Sequence, residues 1–150
     1  MVCYFDSSFL LSALLEERPE SEHVAWDQAR ERLSSDLLRY ECWVALRRVF
    51  LAQPRGTPAD RVAQRVAKLD EYLARITFKA VDTSIETFVR GEERLAGCRT
   101  LDAIHVATAL YFAPHLDERI EVCTFDGRMQ AAAVALGLAV RPAPAISDGQ

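Results

Sequence analysis

A chain of 150 residues, half of them hydrophobic and 27% charged, has the size and apolar content of one soluble domain rather than a fibre or a low-complexity segment. Its 18 basic and 22 acidic residues leave a net charge of −4. That balance argues against a protein that coats nucleic acid through a broad basic surface, and less against an enzyme that grips a short RNA segment by a local basic rim.

Val2 to Phe5 is an unbroken apolar run ending at Asp6, the pattern of a central parallel strand covered on both faces. Ser7 or Ser8 can cap the helix that follows, which carries Leu10, Leu11, Leu14 and Leu15. Charge and Pro19 close it, and a second helix is predicted from about Glu20 to Arg32, followed by a very short strand near Leu33 and Ser34. A long helix should begin near Asp36, with Leu37, Leu38, Glu41, Val44, Ala45 and Arg48 on one broad side. Pro54, Gly56 and Pro58 mark a turn, and Pro58 suits the start of a helix in which Val62, Val66, Leu69 and Leu73 have helical spacing.

Ile76 to Val81 reads as a strand near a sheet edge, and Thr83 or Ser84 as the start of a short helix with Ile85, Phe88 and Val89. Thr100 is expected to cap a helix from Leu101 to Phe112, ended by Pro114. Arg119 to Thr124 is strand-like, and a helix through Met129, Ala133 and Leu136 should stop at Gly137. Leu138 to Val140 forms the last short strand. Strands alternating with helices imply an α/β fold: three α/β/α layers around a mostly parallel sheet of about five short strands. Residues 1–141 are expected to form one domain, with 142–150 a short tail.

No apolar stretch reaches the roughly 20 residues of a membrane span. The N-terminus lacks the basic lead of a signal segment, so a cytoplasmic location is the expectation. Cys3, Cys42, Cys98 and Cys123 form no CxxC pair and sit at no zinc-ligand spacing with the histidines; free thiols are expected, most of them buried.

The chemistry rests on acids. Asp6 and Asp126 close two separate strands, and ligands of an open α/β sheet gather at the carboxyl ends of strands. Asp102 falls in the first turn of a helix, where free N–H groups favour a negative charge. Glu41 stands on a largely apolar stripe, where a glutamate needs a partner. Converging carboxylates repel unless a cation lies between them, and a hard ion such as Mg²⁺ or Mn²⁺ prefers oxygen ligands. Such an ion at a phosphodiester needs neither a histidine base nor a serine nucleophile. Spacing alone leaves a second reading open: strand-end aspartates cap helices, and Glu41 pairs with Arg48 or another arginine. Ser8 and Thr124 can hydrogen-bond the neighbouring acids, or serve as caps and backbone partners. His105 shares a helical face with Asp102, and Arg47, Arg48 and Arg99 are candidate phosphate contacts. Trp26, Trp43 and Tyr40 suit core or interface packing.

The same residues carry a family resemblance. VCYFDSSFLLSAL (residues 2–14) is similar to the first strand and helix of a PIN domain, and SSDLLRYECWVALRR (34–48) to the segment holding its helical glutamate. TLDAIHVATAL (100–110) resembles the third acidic motif, and VCTFDGRMQAAAVALGLAV (122–140) the fourth with its terminal helix and strand. The motifs span nearly the whole chain and come in the family's order; the branch they most resemble is the VapC-like toxins of bacterial toxin–antitoxin pairs. The resemblance implies an endoribonuclease dependent on Mg²⁺ or Mn²⁺, with Asp6, Glu41, Asp102 and Asp126 as its metal-binding, catalytic acids. It implies a homodimer, an RNA substrate and a cognate VapB-like antitoxin whose C-terminal segment covers the acidic cleft. The alternatives are a PIN-like module that binds RNA or protein without cutting, and another phosphoryl-transfer enzyme. Asp6-Ser7-Ser8 lacks the paired aspartates of haloacid-type phosphatases, Lys68 and Lys79 suit no receiver domain, and no nucleotide P-loop or GxSxG elbow is present.

Overall fold

Successive side chains of the first strand point to opposite faces, and both faces are covered. In the computed structural model, which describes residues 1–52 and 59–142, β1 (Val2–Phe5) sends Cys3 and Phe5 into one apolar cluster and Val2 and Tyr4 into another. All four are fully buried, so β1 is the spine of the molecule.

The other strands are β2 (Glu31–Ser35), β3 (Thr77–Lys79), β4 (Ile120–Cys123) and β5 (Ala139–Arg141), in the order β3-β2-β1-β4-β5 with every pairing parallel. This is the expected three-layer α/β/α arrangement, and the sheet is wholly parallel. The helices are α1 (Ser7–Leu15), α2 (Val24–Gln28), α3 (Leu37–Ala52), α4 (Ala59–Ala74), α5 (Thr83–Gly91), α6 (Thr100–Phe112) and α7 (Gly127–Ala135). Side chains of α1 to α4 build the core with Cys3 and Phe5; those of α5 to α7 build the one with Val2 and Tyr4. The chain leaves β1 in one direction for β2 and β3, then returns to the far side of β1 for β4 and β5. The strand order therefore reverses between β1 and β4, where a parallel sheet opens a crevice at its carboxyl end.

Several local expectations are corrected. The helix expected over Glu20 to Arg32 is a 3₁₀ turn (Glu20–His23) followed by α2, which stops at Gln28. Arg30 N–H is drawn to Met1 O at 2.9 Å, so sheet pairing takes residues that a helix would otherwise claim. Acids, not hydroxyls, cap two helices: Asp6 accepts from Phe9 N–H at the start of α1, and Asp82 from Ser84 N–H at the start of α5. Thr100 is the first helical residue of α6, not its cap, and Pro114 sits in a 3₁₀ turn (Ala113–His115) that continues from that helix. The buried stripe of α3 is Leu38, Cys42 and Leu46 at intervals of four, while Val44 and Arg48 face out; Glu41 lies at the stripe's edge. β3 is an edge strand as expected, though shorter than Ile76 to Val81. Gly137 follows α7 with φ +81°, a left-handed conformation that favours glycine. The expected turn at Pro54, Gly56 and Pro58, and the tail beyond Pro142, lie outside the described residues. Among the described residues, no helix is long and apolar enough to cross a membrane.

Candidate active site

Because every strand runs the same way, the ends of β1, β2 and β4 open on one edge, and the four acids of the sequence motifs come to that edge from different elements. Asp6 follows β1, Glu41 stands one turn into α3 after β2, Asp102 lies in the first turn of α6, and Asp126 follows β4. All four line a single cleft of about 260 Å³, with Ser8, Arg99, Thr100 and His105 beside them. A roomier cleft of about 610 Å³ between α5 and α6 is lined mainly by apolar residues such as Ile85, Val89 and Ile104. Its acids, Asp82 and Glu86, are exposed, so convergent polar groups rather than volume mark the smaller cleft as the candidate site.

Asp6 is 4% exposed and held on both oxygens. Its Oδ1 accepts from Ser8 Oγ at 2.8 Å and Phe9 N–H at 3.1 Å, and its Oδ2 accepts from Thr124 Oγ1 at 2.7 Å. The two hydroxyls are themselves held by the turn after β4: Phe125 N–H donates to Ser8 Oγ at 2.9 Å, and Asp126 N–H to Thr124 Oγ1 at 3.0 Å. Burial pushes the Asp6 carboxyl above the ordinary aspartate range, and these donors pull against it. Asp126 caps α7, its Oδ1 accepting from Arg128 N–H at 2.8 Å and Met129 N–H at 3.2 Å.

Glu41 finds its partner in His105, not in an arginine: His105 Nε2 lies 2.7 Å from Glu41 Oε2. The other ring nitrogen, Nδ1, is 2.8 Å from the Tyr4 hydroxyl, which accepts from Ser35 N–H at 3.2 Å. His105 is 2% exposed, so it belongs to the floor of the cleft and not to its rim. Tyr4 and Ser35 escaped the sequence reading. The available signals were a polar-tipped ring in the apolar run of β1 and a pair of small hydroxyls, Ser34 and Ser35, closing β2.

Asp102 is the exception among the acids: its Oδ2 is buried and has no hydrogen-bond partner. Burial, then the charge of Asp126, raises its proton affinity, and Arg99 counters them. Of the three candidate arginines, Arg99 lines the cleft; Arg47 lines a separate hollow with Trp43 and Phe50, and Arg48 is exposed elsewhere on α3.

An all-oxygen donor set with one orphaned carboxylate oxygen suits a hard divalent cation. Among the described residues, no three His, Cys, Asp or Glu side chains converge closely enough to ligate one ion as they stand. Each acid except Asp102 is turned toward a protein donor. The residues fit the ion, with Asp102 already free to receive it.

A family model for the PIN domain matches residues 3–135. The chain belongs to the PIN-domain family. This PIN domain is 35% identical over 140 residues to Ribonuclease VapC46 of Mycobacterium tuberculosis, covering 91% of this chain and 94% of that protein. Its fold is similar to a chain in the crystal structure of VapBC2 from Rickettsia felis bound to a DNA fragment from their promoter. There the TM-score is 0.60 at 12% identity, over 93% of this chain and 97% of the other. At that identity the structural likeness speaks for the fold alone, whereas the VapC46 match places the chain beside the VapC-type PIN domains.

Proposed function

We propose that this protein is a divalent-metal-dependent endoribonuclease and the toxin of a VapBC-type pair, with residues 1–141 as its single nuclease domain. The observation that carries this reading is the meeting of Asp6, Glu41, Asp102 and Asp126 on one cleft at the switch point of the sheet, with Asp102 Oδ2 buried and unpartnered. The relative's name, Ribonuclease VapC46, supports RNA as the substrate class.

In this reading Asp6 and Asp102 hold Mg²⁺ or Mn²⁺ directly, and Asp126 joins them. The ion supplies charge stabilisation at the phosphodiester and activation of water. Asp6 is fixed in place by Ser8, Thr124 and the start of α1, so one ligand needs little reorganisation. Glu41, with one oxygen engaged by His105, keeps the other for the ion or the attacking water. Arg99 at the mouth of the cleft offers a cation to a backbone phosphate. The partners are RNA, a second copy of this chain and a VapB-like antitoxin, and the compartment is the cytoplasm. The resemblance of the four motifs to the VapC-like toxins supports the antitoxin. The exposed Tyr40, Trp43, Val44 and Leu51 on α3 support a protein partner.

The second reading, a binding module that does not cut, draws on the absence of a preformed ligand cluster among the described residues. Cleavage of total cellular RNA by purified, antitoxin-free protein separates the two. The nuclease gives discrete fragments with Mg²⁺ or Mn²⁺ that vanish with EDTA and with Asp6→Ala. A folded protein that leaves RNA intact with either metal belongs to the second reading.

A further inference from the structure

We infer that His105 is a positioning residue for Glu41, set in a single tautomer by Tyr4 and Ser35. Ser35 N–H can only donate, and it donates to the Tyr4 oxygen at 3.2 Å. Glu41 Oε2 can only accept, so the ring proton belongs on Nε2, and the phenol, which burial holds protonated, donates to His105 Nδ1 at 2.8 Å. With Nδ1 accepting, the ring carries its proton on Nε2 and donates to Glu41 Oε2 at 2.7 Å. Ser35 Oγ, 3.4 Å from Nδ1, is a second hydroxyl beside that nitrogen.

The chain of bonds runs from the backbone of β2, through a side chain of β1, to a side chain of α6, and ends on a side chain of α3. It therefore joins three elements behind the carboxylate of a fourth. The histidine is 2% exposed and Tyr4 fully buried, so neither reaches substrate. Their effect has to pass through Glu41. A glutamate has three side-chain torsions, and a charge-assisted bond to a packed ring removes most of that freedom. The consequence is one Oε2 pinned against the floor of the cleft.

The inference rests on the proposed nuclease only for its effect on cleavage; metal binding reads it independently. The variants are His105→Leu, which keeps apolar volume and removes the donor, and His105→Gln, whose Nε2 can reach the place of the imidazole Nε2. Each is made alone and with Glu41→Gln, and is measured by Mn²⁺ titration and by the rate of total-RNA cleavage. His105→Leu should weaken Mn²⁺ binding and slow cleavage by about 10-fold, the usual scale for a group that orients a metal-binding acid. His105→Gln should restore most of both, and in the Glu41→Gln background His105→Leu should add no further loss. Unchanged Mn²⁺ affinity in folded His105→Leu overturns the inference, as does an equal loss with and without Glu41. Should His105→Leu not fold, Tyr4→Phe replaces it, and a Tyr4→Phe protein with unaltered Mn²⁺ affinity overturns the inference as well. A wild-type protein that binds Mn²⁺ without cutting RNA defeats the nuclease reading instead, and leaves the titration comparison to decide this one.

Discussion

Thr124 Oγ1 donates to Asp6 Oδ2 across 2.7 Å, tying the end of β4 to the end of β1 at the point where strand order reverses. The same hydroxyl accepts Asp126 N–H at 3.0 Å, so one buried oxygen holds the positions of two acids. Thr124→Val keeps the shape and deletes both bonds, leaving Asp6 Oδ2 with the Ser8 hydroxyl alone at 3.0 Å and the Asp126 N–H without its acceptor. Leaving the backbone donor unsatisfied costs about 1–3 kcal/mol. Urea unfolding should show a lower midpoint with unchanged slope, and Mn²⁺ binding should weaken in step. Thr124→Ser should recover both; a Val variant as stable and as tightly metal-binding as wild type would sink the role of the hydroxyl.

Asp102 carries the opposite cost. Burial and Asp126 raise its proton affinity above that of an unfolded aspartate. The folded state then holds the proton more tightly than the unfolded one. Stability from this group is present in acid and is lost as pH rises through the unfolded aspartate range to the raised folded value. Metal-free Asp102→Asn should thus melt at a higher temperature than wild type at pH 7, with the advantage shrinking on acidification. Thermal melts in EDTA at several pH values check this, and a variant less stable at pH 7 would contradict it.

How much of this could be seen in the residues alone depends on how local the cause was. β1 was legible because Val2 to Phe5 is apolar without alternation, and only a strand covered on both faces wants that pattern. The order of motifs likewise gave the three layers, since parallel strands need helical crossovers. The end of α2 was not legible: it is decided by Arg30 N–H meeting Met1 O, two residues far apart in sequence. The buried face of α3 departs from the sequence pattern for a similar reason. Val44 and Ala45 are apolar, yet the neighbours that choose the buried stripe favour Leu38, Cys42 and Leu46. At the cleft, the oddity of Glu41 was visible as a charge beside an apolar stripe, but its partner lies 64 residues away on α6. Helix capping by Asp6 and Asp126 and their place on the cleft both hold, so the two readings left open by spacing do not exclude one another.

A divalent ion that binds the folded state alone must raise its stability, by about 2.7 kcal/mol at a free concentration 100 times the dissociation constant. Mn²⁺ or Mg²⁺ should accordingly raise the melting midpoint of the wild type, and EDTA should return it. Asp6→Ala and Asp102→Asn should lose most of that increment, even though metal-free Asp102→Asn starts from a higher midpoint. An increment of equal size in the wild type and both variants would place the ion elsewhere on the molecule.

Cysteine reactivity provides a test of the core that needs no ligand. Cys42 is fully buried between Leu38 and Leu46 on the inner stripe of α3, and burial pushes its thiol up to about 12. Cys3 and Cys123 are equally inaccessible inside the sheet, while Cys98 is half-buried at the end of a 3₁₀ turn. A thiol reacts as its thiolate and only where reagent can reach it. Burial and then Asp102 push the Cys98 thiol up as well, so access sets the order: native protein at pH 7 should take up its first maleimide at Cys98, with the other three sites labelled only after opening of the core. Mass spectrometry of timed digests reads the order directly. Denaturant should equalise the four rates, and labelling of Cys42 as fast as Cys98 without denaturant would mean that α3 does not pack as described.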